Sequence, residues 1–412
     1  MEVYGAVKPS LLLLATMDTK GPEVLYLRDR VRDLGGRPLL MDLSMRHGDP
    51  ILSCDVPSDE VAEAGGSTLE AVAGSKDMTA NMGIMTSGAS SAARRLVDEG
   101  RVQGVIGVGG CTGTLMITAV FQGLPFGLPK VMVSSAAAQP GLSNQFLKTS
   151  DIMLFHSVIE IAGLSDPVRN VLERAACAVM AMARGPVVNP LFDGERAIAM
   201  TMMSPCERTA RSVRLALEKE GYEVIGFHAN GVGDRAMEEM VASGLFSGVI
   251  DLAPGAVGEH LYGYMRDAGP LRLESAGRMS IPQIISTCGV NHATPSKSRA
   301  SPRLWTRRKY DLDRFRTWLR VTPDELRQIS EAFAEKLNRS KGPVKVLVPL
   351  KGWSSIDSPG SPTYDPNEDA VFVAGLRSTL RKGIEVIEVD ANMESPEFAQ
   401  TVVGTALEMF SQ

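Results

Sequence analysis

Residues 11–15 form an unbroken apolar run, Leu11-Leu12-Leu13-Leu14-Ala15, which continues to Met17 before the polar stretch Asp18-Thr19-Lys20-Gly21-Pro22-Glu23. Beyond it, Val24, Leu25, Leu27, Val31 and Leu34 recur at the spacing of a helix with one buried face. The pattern predicts a buried strand, a loop and a helix. Gly35-Gly36 closes the helix, and residues 38–43 predict a second strand. A strand, crossover helix and strand in this order builds parallel sheets.

The same grammar continues along the chain. A polar, small-residue stretch is followed by a predicted helix at 89–99, a strand at 102–108, a helix at 114–121 and a strand at 130–134. A further strand at 151–155 and an alanine-rich helix at 168–184 lead to Gly185-Pro186. Pro186, Asn189, Pro190, Asp193 and Gly194 give 186–194 the turn chemistry of a linker. The expected domains are therefore 1–185 and 195–412. In the second, strands are predicted at 196–202, 223–227 and 248–252 and helices at 206–219 and 235–243, with 257–265 and 281–286 continuing the pattern. A helix at 323–337, strands at 345–350 and 384–389 and a helix at 396–410 complete it. The predicted class is α/β: two Rossmann-like subdomains, each a mostly parallel sheet flanked by helices, with an interdomain cleft. No short-period repeat is visible, which excludes a solenoid. The connection 287–310 is long for a compact domain and reads as a functional loop or a disordered one.

Composition agrees with a globular chain. Of 412 residues 44% are hydrophobic and 22% charged, and the net charge of −5 argues against a general electrostatic grip on DNA. The basic stretch 297–320, with Arg299, Arg303, Arg307, Arg308, Lys309, Arg314, Arg316 and Arg320 among Trp305, Tyr310, Phe315 and Trp318, reads as a solvated loop and helix, with an RNA or partner surface as the alternative. Five scattered cysteines without metal-ligand spacing read as reduced thiols, and the 21 methionines as core filler. No basic start followed by an apolar stretch suggests secretion, and no apolar run approaches the roughly 20 residues that span a bilayer. The expectation is a cytoplasmic protein that engages no membrane.

The sharpest chemical feature is Val108-Gly109-Gly110-Cys111-Thr112-Gly113-Thr114, where a strand runs through glycines into a helix. Glycine lets backbone approach a phosphate, and free amides at the helix start favour its charge. Thr112 and Thr114 offer hydroxyl donors. The pattern is neither a Walker A loop nor a complete dinucleotide fingerprint, so a turn that binds nothing stays open. At the end of the first strand, Asp18, Thr19, Lys20 and Gly21 are expected at the sheet edge where ligands sit in open α/β folds. Lys20 offers a point charge for phosphate, and Asp18 can accept from a sugar hydroxyl or hold Mg²⁺. Helix capping by Asp18 or Thr19 with a solvated lysine is the alternative. Ser134, Ser135 and Asp151 are expected on the same edge, as ligands or as turn formers.

In the second domain Ser204-Pro205-Cys206 and residues 228–235, His228 to Arg235, each follow a strand and open a helix. With Asp251 at a third strand end, His228, Arg235 and Asp251 can converge on a ligand; a structural histidine is the alternative. Ser354, Ser355 and Asp357 leave a later strand through a loop that touches substrate or simply turns. Cys111 and Cys206 sit near helix starts, where a thiol pKa falls, but no partner base is identifiable. The sequence designates no metal-ligand set.

These motifs together resemble, nearly end to end, the family that includes the ATP-binding N-terminal half of the tomato mosaic virus resistance protein and many bacterial and fungal proteins. The resemblance rests on residues 15–21, the 107–114 turn, Lys130-Val131-Met132-Val133-Ser134, Asp151, Ser157-Val158, Ile161-Ala162-Gly163-Leu164, His228-Ala229 and Arg235-Ala236-Met237-Glu238. Lys336-Leu337-Asn338, Gly342-Pro343 and residues 352–357 extend it. It implies ATP as ligand, with Mg²⁺ left open, and self-association into a homo-oligomer. Matched by position, it puts Thr16, Asp18, Lys20, Gly109, Gly110, Thr112, Gly113 and Thr114 near the nucleotide. Cys111-Thr112 departs from the expected serine and glycine, and 287–308 departs as well; a cleft wall there would admit another ligand. The expected function is nucleotide binding, chiefly by the first domain, with a second small-molecule ligand in the cleft. The alternatives are phosphoryl transfer or hydrolysis on a small acid, and a partner-binding protein with structural nucleotide.

Overall fold

The computed structural model describes residues 8–46, 53–185, 196–296, 301–314 and 316–411. The chain divides into two compact units, Met1–Pro190 and Leu191–Gln412. The expected linker, 186–194, lies outside the described residues, as do Lys297, Arg299 and Phe315 of the basic stretch.

The first unit runs β1 (Ser10–Ala15), α1 (Met17–Asp33), β2 (Arg37–Asp42), α2 (Ser58–Ala64), α3 (Leu69–Gly74), α4 (Met78–Asp98), β3 (Gly104–Gly109), α5 (Cys111–Gln122), β4 (Lys130–Ser134), α6 (Ser143–Leu147), β5 (Met153–His156) and α7 (Asp166–Arg184). Its sheet is parallel, in the order β2-β1-β3-β4-β5. The unbroken apolar run of β1 is explained by burial on both faces. Leu12 and Leu14 pack with α4 and α5 through Met85, Ala89, Ile117 and Phe121, whereas Leu11 and Leu13 pack with α1 and α7 through Val24, Leu27, Leu172 and Val179.

The second unit runs β6 (Ala197–Met202), α8 (Glu207–Lys219), β7 (Glu223–His228), α9 (Val232–Ala242), β8 (Gly248–Asp251), α10 (Ala256–Tyr262), α11 (Ser275–Arg278), β9 (Gln283–Ile285), β10 (His292–Ala293), β11 (Lys309–Asp311), β12 (Thr317–Arg320), α12 (Pro323–Asn338), β13 (Val344–Pro349), α13 (Pro366–Thr379), β14 (Glu385–Val389) and α14 (Pro396–Phe410). A six-stranded parallel sheet in the order β14-β13-β9-β8-β6-β7 carries helices on both faces. Both units are Rossmann-like α/β layers, as the sequence predicts.

Three readings are revised. The helix expected at 89–99 begins at Met78, where Asp77 accepts from the Ala80 amide; the small-residue stretch ahead of it holds α2 and α3 as well. The loop expected at 18–23 is instead the start of α1, interrupted by non-helical backbone at Lys20. The basic stretch is more than a solvated loop and helix: a short helical turn at Pro302–Thr306 is followed by strands. Within it β11 and β12 join β10 in an antiparallel three-stranded sheet. Trp318 and Arg320 of β12 are buried, because Arg320 bonds Asp369 at 2.6 Å and Glu368 at 3.1 Å.

Candidate functional site

In the first sheet the chain turns one way from β1 to β2 and the other way through β3, β4 and β5. The carboxyl ends of β1 and β3 therefore flank a topological switch point, the place where open α/β sheets bind ligands. Two helices start there. At α1 the Met17 amide donates to Asp42 Oδ1 at 3.0 Å and the Asp18 amide to Ser44 Oγ at 3.0 Å, while the Thr19 and Lys20 amides reach the Thr16 carbonyl. This helix start is closed by its own chain. Partial burial raises the Asp18 pKa above the ordinary value, and the Asp42 carboxylate adds to the effect.

The start of α5 differs. Gly110 caps it without a side chain, its first turn holds no acidic residue, and the first amide to reach a backbone carbonyl is Thr114, at 2.8 Å from the Gly110 oxygen. Among the described residues the Cys111, Thr112 and Gly113 amides have no acceptor. Gly109 suits a close turn, since a Cβ there would lie a tight 3.0 Å from backbone atoms of Gly113 and Thr114. A Cβ on Gly113 would meet nothing within 4 Å. The bend thus carries three donors, with Cys111 and Thr112 exposed and Gly113 buried.

The remaining candidates fall into distinct places. Lys20 donates to the Ile161 carbonyl and lies 3.9 Å from Glu160 Oε1, and Ser135 Oγ lies 3.3 Å from the Glu160 carboxylate. A Cβ on Gly110 would be 4.0 Å from Ser135 Oγ, so Ser135 adjoins the bend. Thr16 and Thr19 share a hydroxyl contact of 2.7 Å. Thr114 and Ser134 turn inward: both are buried, their oxygens are 2.7 Å apart, and Thr114 also donates to the Gly110 carbonyl at 2.6 Å. Asp151 is not on this edge. It precedes β5, where parallel strands begin, and accepts from the buried Lys130 ammonium at 2.6 Å. Glu23 was not singled out from the sequence. It is buried on α1, takes the Gly163 amide at 2.6 Å through Oε1 and leaves Oε2 without a partner among the described residues.

The corresponding edge of the second sheet is filled. Arg266 bonds Glu259 at 2.8 Å, lies 4.5 Å from the Trp318 ring centre and is buried beside Met203 and Gly289. A Cβ on Gly255 would lie 2.3 Å from the Gly289 carbonyl oxygen, so the turns after β8 and β9 touch backbone to backbone. Cys206 is buried and Ser204 exposed. Asp251, His228 and Arg235 are not joined by any bond among the described residues. Asp251 bonds Thr201 at 2.7 Å and the fully buried Arg272, while His228 and Arg235 are exposed. At α9 the Gly231 amide is taken by Asp234 and the Gly233 amide by Asn230. Ser354 and Asp357 are buried, with Asp357 accepting from Asn291 at 2.7 Å and from the Trp353 amide at 2.9 Å.

Asn291 also reaches Asp369 at 3.1 Å, which gathers two carboxylates beside Arg320. Burial pushes Asp369 up to about 7, against the pull of Arg320 and helped by Asp357. The folded state then keeps a proton that the unfolded chain releases near the ordinary value of 3.8. Its contribution is greatest below that value, declines as pH rises to about 7 and is flat beyond. Urea unfolding of Asp369→Asn between pH 4 and 8 should show a shallower decline than the parent; an unchanged slope contradicts the assignment.

Among the described residues no group of three His, Cys, Asp or Glu is placed to hold a metal ion, and no helix is long and apolar enough to cross a membrane. The strand orders and edge chemistry define a two-unit, Rossmann-like α/β protein with one open and one filled sheet edge. The chain belongs to the UPF0261 family: residues 9–187 match its N-terminal domain and 195–410 its C-terminal domain, both described as an uncharacterised protein family. It is 31% identical to a UPF0261 protein of Clostridium tetani over 98% of this chain and 99% of that one, and 35% identical to one of Rhizobium meliloti over 95% and 97%. It is 28% identical to the ToMV resistance protein Tm-1 of Solanum lycopersicum over 97% of this chain and 56% of the tomato protein. Among solved structures, the UDP-N-acetylglucosamine 2-epimerase of Rickettsia bellii aligns over 98% of both chains at 8% identity with a TM-score of 0.25, too weak a likeness to carry an argument.

Proposed function

We propose that the N-terminal unit binds a nucleoside triphosphate, ATP, through the start of α5. The observation that supports this reading is the set of three acceptor-free amides, Cys111, Thr112 and Gly113, at the switch point of the sheet. Such a helix start stabilises an anion by about 0.3–2 kcal/mol, and each direct bond to a charged phosphate adds about 1.5–3 kcal/mol. Lys20 adjoins the same edge and supplies a full positive charge. The contrast with α1, whose first two amides are taken by Asp42 and Ser44, and with α9, where Asp234 and Asn230 take the Gly231 and Gly233 amides, favours α5 as the anion site. The sequence resemblance to an ATP-binding family points to the same ligand.

Isothermal titration with ATP, ADP and adenosine tests the reading: heat and affinity should rise with phosphate number, and equal responses to all three would sink it. Cys111→Pro is a sharper probe. Proline suits the first helical position and follows an extended residue, Gly110, yet removes one donor. The variant should melt near the parent temperature and bind ATP about tenfold more weakly, the worth of one charged hydrogen bond. Undiminished affinity would show that this amide touches no phosphate.

A further inference from the structure

Glu160 is held by groups that suit a phosphate. Its carboxylate takes the Ile161 amide at 3.1 Å, lies 3.3 Å from Ser135 Oγ and lies 3.9 Å from the Lys20 ammonium. Ser135 in turn adjoins Gly110, the cap of α5. Lys20 comes from the turn after β1, Ser135 from the turn after β4, and Glu160 from the turn after β5. Three loops of one sheet edge thus converge on a single carboxylate, and one of its neighbours, Ser135, adjoins the start of α5. That carboxylate is not sealed in: the Glu160 side chain is 68% exposed, and its distances to lysine and serine are long for bonds to a charged group.

The loop that carries it is held under constraint. Val158 adopts φ +68°, a left-handed backbone that a β-branched residue rarely takes, and its side chain projects into solvent. Bonds outside the loop keep it there. The Ser157 amide donates to the Ser134 carbonyl at 3.1 Å, the Gly163 amide to Glu23 at 2.6 Å, and Lys20 to the Ile161 carbonyl.

We infer that Glu160 is a built-in competitor for one phosphate subsite, an inference that rests on the nucleotide reading above. In the ligand-free protein it neutralises Lys20 and engages Ser135. A ligand phosphate takes over both donors and expels the carboxylate, because two anions at one position repel. Glu160 therefore sets the threshold of affinity: the site accepts only a ligand with enough negative charge to outcompete an internal monoanion. Adenosine, which brings no charge, leaves Glu160 in place.

The test is titration of the full chain and of Glu160→Gln with ATP, inorganic tripolyphosphate and adenosine. The substitution keeps size and hydrogen bonding at an exposed position and removes the charge. ATP and tripolyphosphate should bind the variant roughly tenfold more tightly, the scale of removing one unit charge beside another near a protein surface, while adenosine responds equally to both proteins. Binding by the variant alone would also support the inference. If the parent binds ATP and the variant binds it equally or more weakly, or if adenosine gains as much as ATP, Glu160 is no competitor and the nucleotide reading stands without it. If neither protein binds any phosphate compound, the nucleotide reading fails and the inference falls with it.

Discussion

Replacing Arg272 by leucine is expected to lower the unfolding free energy of the second unit by about 3–5 kcal/mol, the scale of stranding buried charge. Arg272 has no solvent exposure and pairs with Asp234 at 3.0 Å, Asp251 at 2.5 Å and Glu238 at 3.2 Å. Burial alone would lower its pKa, yet Asp251 and Asp234 hold it above the ordinary arginine value, so the guanidinium stays charged. Burial raises the Asp234 pKa even with the cation beside it. Removing the cation leaves three buried acids without a counter-charge. Urea titration followed by far-ultraviolet circular dichroism checks this, and a loss under about 1 kcal/mol would mean that water reaches the cluster.

The second large effect concerns binding. Lys20→Ala is expected to weaken ATP binding by about 10- to 100-fold, the equivalent of one charge-assisted bond worth roughly 1.5–3 kcal/mol. Stability should fall much less, by about 0.5–1.5 kcal/mol for the lost bond to the Ile161 carbonyl. The signature is therefore a collapse of affinity with a small shift in melting, and it should shrink as salt rises. Parent-like affinity in Lys20→Ala would remove this lysine from the site.

The central strands β1, β3, β4, β6, β8 and β13 were legible because their apolar runs are buried on both faces. β4, at Lys130–Ser134, and α14, at Pro396–Phe410, fall where the pattern puts them. Helix α13 did not emerge from that pattern, although Asp365 caps it, Pro366 opens it, and Asp369, Phe372, Val373 and Leu376 give it a buried stripe. Its signal is weakened by the buried aspartate within that stripe. The fate of the basic stretch was beyond local reading. Arg320 looks like a surface charge until Asp369, 49 positions later, comes alongside it. Asp251 likewise looked free for a ligand because Arg272 is joined to it only by the fold. At the α5 bend the glycines were readable, but the inward turn of Thr114 and Ser134 depends on two neighbouring strands. Glu160 carried no motif at all. Its significance comes from where the loop after β5 lands.

Numbered from its own first strand, each unit winds its sheet in the same sequence, 2-1-3-4-5, with a sixth strand added in the second. The chain is therefore wired twice from one plan, but at the matching rim one copy displays bare peptide groups and the other is packed with Arg266 and Trp318. The winding tolerates either finish. Recognition in this architecture is consequently a property of a few turn residues, and the scaffold beneath can be kept, or copied, with or without it.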